Sequence, residues 1–231
     1  MSSTDAVERL IERDVFRAVD DDELRLTDSF GRTVERRRRT LADRDEDERP
    51  QAVADATADP ETANALAAAG VSDPDFLARY VALRERAADL SPTQAFTLTV
   101  VIGQFETERP RDEGAPEAFL PVDGEDLVRL VSLHDRCVVY AWREDCPPCD
   151  AIREDFDELF ADGPPGDVLP LAVYGPDCPE LLEREYDVSV APTLLFTLDG
   201  DVDSRFVGAP TTEGLRSEIE TLRERTPPSA E

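Results

Sequence analysis

The stretch YAWREDCPPCD, residues 140–150, holds two of the four cysteines of this 231-residue chain, separated by two prolines. It admits three readings: a zinc clamp, a redox pair, or a structural accident. Its flanks narrow the choice. CVVYAW (137–142) is a short apolar run with β-branched and aromatic residues, and it reads as a buried strand. CPPCDAIREDFDELF places Ile152, Phe156, Leu159 and Phe160 at helical spacing. The pair therefore falls where a strand hands over to a helix, which is a redox geometry.

Cys146 takes the N-cap, Pro147 and Pro148 the first two helical positions, and Cys149 the third. Prolines cost little there, because the first backbone N–H groups of a helix have no intrahelical partner. The Cys149 N–H is expected to point at the Cys146 sulfur, and the helix dipole favours thiolate at the same place. Glu144, Asp145 and Asp150 oppose ionisation, with Arg143 and Arg153 the nearby cations in sequence. A thiolate stabilised so little favours the disulfide and suits a reductant.

A zinc site would need further ligands, and His134 and Cys137 are the available ones. Cys137 begins the strand that Cys146 follows, and a strand rises about 3.3 Å per residue, so the two cannot share one centre. Cys137 reads as an apolar filler, and Cys178, in PDCPE, as flanking a helix start with a third redox cysteine as its alternative. His134 ends a helix and reads as structural.

Working outward, DGEDLVRLVSLH is a helix, DVLPLAVYG a strand and CPELLEREYDV a helix opened by Pro179. PTLLFTL and VDSRFVG are two strands joined across Asp199 and Gly200, TTEGLRSEIETLRER is a closing helix, and 227–231 a frayed tail. The order helix, strand, helix, strand, helix, strand, strand, helix predicts an α/β sandwich with a mixed sheet.

Four marks in register carry a resemblance. Trp142 ends the strand before the motif, C-x-x-C opens the next helix, VAPTLLF (190–196) carries a proline before a strand, and DGDVDSRFVGAPTTEGL supplies hairpin, glycine and helix. Residues of about 119 to 226 thus resemble a thioredoxin domain. The resemblance implies a thioredoxin-like sandwich and thiol–disulfide exchange, with Cys146 attacking, Cys149 resolving, and no cofactor or metal. It makes Pro192 a cis-proline facing the sulfurs, Ala191 the residue whose backbone pairs with an extended substrate, and Trp142 a third substrate-binding residue. Two positions depart from the family pattern: Asp145 stands where a tryptophan is usual before the first cysteine, and Tyr140 where a buried carboxylate is usual. The implied partners are protein disulfides and a reductase that supplies electrons. The alternative function is a redox-sensing interaction protein whose helical region binds a partner.

Residues 1–110 read as an all-α domain of unknown role, an adaptor or a route to a homodimer. Val7, Leu10, Ile11 and Val15 open it, and Leu24, Leu26, Phe30, Val34 and Leu41 continue it at helical spacing. RDEDERPQ (44–51) reads as a charged loop. Asp59–Pro60 and Asp73–Pro74 each start a helix, and Ser91 with Gln94 has capping-box spacing. NALAAAGVSDPDFLARY loosely resembles a helix-turn-helix. Residues 111–118, charged and bearing proline and glycine, read as a linker.

Fifty-three acidic residues stand against 25 basic ones, net charge −28, and every basic residue is arginine. Such a chain repels itself until salt screens it, and the composition resembles that of proteins from salt-accumulating halophilic archaea. It argues against a nucleic-acid surface, which needs a basic face; the RRRR run reads as a solvated helix face. MSSTDAVERLIERD lacks the cationic start and apolar core of a secretory signal, and no segment approaches the roughly 20 apolar residues of a membrane span. The expected setting is cytoplasmic, where a thiol pair is catalytic more often than a staple.

Overall fold

The computed structural model describes residues 3–20, 23–107 and 109–226. The frayed tail expected at 227–231 lies outside them. The chain divides into two compact units, Met1–Arg109 and Pro110–Glu231.

The first unit begins with helix α1 (Ser3–Glu12), then strands β1 (Phe16–Asp20) and β2 (Glu23–Leu26) paired antiparallel with Phe16 opposite Leu26. These strands correct the all-α expectation. Helical spacing runs through Val15, but Asp14 adopts a positive φ of 58°, which breaks the helix. Phe16 is then buried with its ring 4.8 Å from that of Phe105. Helix α2 (Asp28–Ala42) follows a Thr27 cap that accepts from the Phe30 N–H. The supposed loop at 44–51 contains a 3-10 turn (Glu46–Glu48) and the start of α3 (Arg49–Thr57), whose Pro50 sits in its first turn.

Helix α4 (Pro60–Ala68) starts at Asp59 as expected, although the Asp59 side chain makes no capping hydrogen bond. Helix α5 (Pro74–Arg86) has its Asp73 cap, and α6 (Pro92–Gly103) has the complete Ser91–Gln94 capping box. Phe30 and Val34 of α2 are buried, as are Phe76, Leu77, Tyr80 and Val81 of α5, which packs on α2. The Tyr80 ring stacks on Phe96 at 4.8 Å, and its hydroxyl meets Thr62 Oγ1 at 3.1 Å.

The second unit runs β3 (Leu120–Val122), α7 (Gly124–Leu133), β4 (Arg136–Trp142), α8 (Pro147–Leu159), β5 (Leu169–Tyr174), α9 (Pro179–Tyr186), β6 (Thr193–Leu198), β7 (Asp201–Val207) and α10 (Thr212–Glu224). The sheet order is β3-β5-β4-β6-β7, with β3 and β4 parallel to β5, and β6 antiparallel to both β4 and β7. This is the mixed sheet of a thioredoxin fold, with one strand more than the periodicity suggested. β3 is three residues long and includes a proline, too short to show a period. Between β6 and β7, Asp199 and Gly200 both have positive φ (53° and 89°), as a primed hairpin turn requires.

Side chains alternate across β4. Val138, Tyr140 and Trp142 join a core cluster with Ile152 and Phe156 of α8 and Leu215 and Ile219 of α10. Cys137, Val139 and Ala141 are buried and point to the opposite face. The linker expectation for 111–118 does not hold, because Ala115 and Ala118 pack on the core cluster next to Phe119, and the Glu117 N–H donates to the Asp157 carboxylate at 2.7 Å. A charged sequence hides that packing, since its few alanines are the only apolar signal.

Candidate functional site

Strand β4 ends at Trp142, and three residues later the backbone turns sharply: Asp145 has φ 52°, a left-handed conformation that aspartate tolerates better than bulky residues. That turn delivers Cys146 to the N-cap of α8 with Pro147 and Pro148 behind it. Cys146 and Cys149 form a disulfide with a Cα–Cα separation of 5.2 Å, and both residues are buried, at 4% and 3% exposure. The Cys149 N–H donates to the Cys146 backbone carbonyl at 2.8 Å. This corrects the expectation that it would point at the Cys146 sulfur: the tight turn at the N-cap already offers the N–H an oxygen, a far better acceptor than sulfur.

Opposite the disulfide lies the loop before β6. The Ala191–Pro192 peptide bond is cis, and the Cys146 Sγ lies 4.0 Å from the Ala191 carbonyl oxygen. Pro192 is itself held by the Gly208 N–H, which donates to its carbonyl at 2.9 Å. Cys146, Ala191 and Pro192 are therefore brought together across 45 residues of sequence. Trp142 belongs to the same cluster but offers no surface to a substrate, being 2% exposed. Gly114 lies flat against its ring, where a Cβ would come within 2.3 Å of a ring carbon. The indole also packs on Tyr174 at 4.8 Å, and its N–H has no hydrogen-bond partner among the described residues. The expected substrate contact at Trp142 is thus replaced by a buried wall behind the cysteines, held by packing alone.

Beneath Cys149 sits Tyr140. It is fully buried, and its hydroxyl donates to the Cys149 carbonyl at 2.9 Å. Burial pushes the phenol above its ordinary range, and the Asp150 charge pushes it the same way. The position therefore carries a neutral donor.

Charge around the pair differs from the sequence inventory, which counted only Arg143 and Arg153 as cations. The Arg111 guanidinium donates to the Glu144 carboxylate at 2.6 Å, stands 3.9 Å from Asp177, and lies over the Tyr174 ring at 4.7 Å. No periodicity or motif could have revealed a cation arriving from 33 residues upstream. Burial pushes the Cys137 thiol up to about 12, and the Cys178 thiol, half-buried beside Asp177 and Asp123, up to about 11. Neither thiol is set up to be a nucleophile near neutrality. His134 caps the end of α7 with Nδ1 2.9 Å from the Leu130 carbonyl. Among the described residues no three His, Cys, Asp or Glu side chains gather as metal ligands.

Residues 121–221 match the family model Thioredoxin. Among solved structures, the chain is similar to mitochondrial thioredoxin 3 from Saccharomyces cerevisiae in its oxidised form, at 20% identity over 45% of this chain and 94% of that one, with a TM-score of 0.39. A point mutant of thioredoxin from Halobacterium salinarum NRC-1 is 24% identical over 49% of this chain and 97% of that one, with a TM-score of 0.42. No curated protein matches the chain. The thioredoxin match supports a thiol–disulfide oxidoreductase type of function for the second unit. It does not extend into Met1–Arg109.

Proposed function

We propose that this chain reduces protein disulfides through a Cys146/Cys149 dithiol. The observation that carries the reading is the placement of the disulfide: Cys146 caps α8 with its sulfur 4.0 Å from the Ala191 carbonyl, while Cys149 lies behind it in the helix. A substrate strand paired on Ala191 meets Cys146 first. The Cys146 thiolate attacks one substrate sulfur, forms a mixed disulfide and releases the other substrate sulfur as a thiolate. Cys149 then attacks Cys146, which frees the second substrate sulfur and leaves the protein oxidised by two electrons. Val190 and Val207, 53% and 65% exposed, give the loop and strand beside Ala191 an apolar surface suited to a polypeptide. A cytoplasmic reductase would return the electrons. Among the described residues no helix is long and apolar enough to cross a membrane.

The test is catalytic reduction of insulin disulfides with dithiothreitol as electron source. Turnover that is abolished by Cys146→Ser supports the proposal, as do mixed disulfides accumulating on Cys149→Ser. A protein oxidised once that then stops is a redox sensor, and that result overturns the reading.

A further inference from the structure

In the first unit an open groove of about 530 Å³ runs beside strand β1. Three consecutive residues of β1, Phe16, Arg17 and Ala18, line it together with the start of α2, and among the described residues none of β2 does. Successive strand residues point to opposite faces of a sheet. A groove that touches three in a row, and nothing of the partner strand, therefore follows the edge of β1 and not a face.

That edge is unpaired. Among the described residues β1 pairs with β2 alone. The Thr27 N–H donates to the Val15 carbonyl at 3.0 Å, which sets the parity: Val15 and Arg17 direct their backbone groups at β2, while Phe16 and Ala18 direct theirs away. None of those outward N–H and C=O groups has a hydrogen-bond partner among the described residues. Ala18 is exposed and Val19 is 38% exposed, so solvent reaches this edge. An open edge is a template for an added strand, and a hairpin of two strands gains stability from a third.

Charge says what kind of strand. Arg17 and Arg32 both line the groove, are exposed, and have no ion-pair partner among the described residues. The other arginines of α2 all pair: Arg36 and Arg37 with Glu85, and Arg38 and Arg39 with Glu35. Of the two groove carboxylates, Asp14 is held by Arg86 at 3.1 Å, and Asp28 sits in the first turn of α2, where the helix dipole favours it. A chain of net charge −28 thus keeps two arginines free along one open strand edge. They complement carboxylates, which accept paired hydrogen bonds from a guanidinium. A second copy of the chain is a poorer occupant. Pairing β1 with itself about Ala18 makes the two Arg17 side chains diagonal neighbours on one face, where like charges repel, and joins two strongly acidic chains.

We infer that the edge of β1 docks an extended acidic segment of a partner protein as an added strand. Phe16 and Ala18 supply the main-chain hydrogen bonds, and Arg17 and Arg32 select carboxylate side chains. Three strand residues at about 3.3 Å each give roughly 10 Å of edge, enough for a short tail or loop. The docking uses no cysteine and is independent of the reductase reading.

The probe is a fluorescein-labelled octapeptide of alternating glutamate and threonine, titrated with the full chain in KCl at which circular dichroism shows it folded. Fluorescence anisotropy gives the affinity. A lysine–threonine counterpart should bind at least about tenfold more weakly, since it meets the arginines with like charge. The acidic peptide with every amide N-methylated should also lose at least about tenfold, the scale of two hydrogen bonds. Arg17→Gln and Arg32→Gln should each weaken the acidic peptide about threefold, as one exposed ion pair does. Ala18→Pro deletes an outward N–H without touching the pairing to β2, and should cost about fivefold. Arg44→Gln, at an exposed arginine outside the groove, should change nothing. No binding of the acidic peptide at millimolar protein, equal binding of the lysine peptide, or full binding of the methylated peptide each overturns the inference. So does a loss in Arg44→Gln as large as in Arg17→Gln. A concentration-dependent wild-type dimer in sedimentation equilibrium that Ala18→Pro dissolves overturns it too, because a second copy then covers β1.

Discussion

The Tyr140 hydroxyl donates a 2.9 Å hydrogen bond to the carbonyl of Cys149, tying the middle of strand β4 to the first turn of helix α8. The donor is fully buried, so no water competes for it. The bond fixes the helix end that carries Cys149 relative to the strand that leads to Cys146.

Tyr140→Phe removes that donor and keeps the ring. The unfolding free energy should fall by about 1 kcal/mol, the usual net worth of one hydrogen bond, and insulin reduction should slow because Cys149 is less well placed. Urea denaturation and turnover measure the two effects. Unchanged stability would show that the bond contributes nothing.

Gly114→Ala should disturb the site from a distance. The added Cβ meets three Trp142 ring atoms at 2.3 to 2.8 Å, so the 110–118 segment must lift or the indole must move. Overpacking of this kind costs about 1–3 kcal/mol. Trp142 is the only tryptophan, so its fluorescence reports the change directly. A spectrum and melting temperature identical to wild type would contradict the close approach.

Alkylation of the reduced protein at neutral pH should modify Cys146 first. Cys178, pushed up to about 11 and half-buried, should react slowly, and Cys137, pushed up to about 12 in the sheet interior, only on unfolding. Peptide mapping by mass spectrometry gives the order. Cys137 labelling ahead of Cys146 in the native protein would be incompatible with this structure.

Stability should decline in alkali. Cys137 and Cys178 rise from 9.0 to about 12 and about 11, and Tyr80, Tyr140 and Tyr186 are also raised, each chiefly by burial. The native state then holds protons that the unfolded state has released, so unfolding free energy falls as pH rises. The stabilisation is complete below pH 9, where the unfolded thiols are still protonated, and is progressively lost from there through the native values near 11 and 12. Urea midpoints between pH 8 and 11 measure it, and a flat profile contradicts it.

Salt should act in the opposite direction. With a net charge of −28, self-repulsion is screened as the Debye length shrinks from about 10 Å at 0.1 M to about 3 Å at 1 M. The melting temperature should climb steeply with KCl. Indifference to molar KCl would falsify the halophilic reading.

Short-range signals were legible without coordinates, because their physics is local. The Ser91–Gln94 capping box, the Asp73 cap, the two prolines opening α8 and the Asp199–Gly200 turn are each closed within four residues. Alternation and helical spacing likewise located β4, α8, β6, β7 and α10, and the placement of C-x-x-C at a strand–helix junction pointed to redox chemistry. The β1–β2 hairpin was missed because helical spacing ran past Asp14, whose left-handed backbone no pattern of apolar residues announces. Strand β3 was missed because three residues have no period, and its strand character comes only from pairing with β5.

The sequence by itself determined the α/β sandwich of the second unit, the C-x-x-C at a strand–helix junction and the acidic, lysine-free composition, since periodicity, capping and composition all act within a few residues or over the chain as a whole. Only the tertiary structure decided which groups surround those cysteines. The sheet order sets Ala191 against Cys146, turns Tyr140 and Ala141 to opposite faces, buries Trp142 beneath Gly114 and brings Arg111 to Glu144. Those contacts join residues 28 to 45 positions apart, where chain connectivity imposes no geometry and packing alone selects the neighbours.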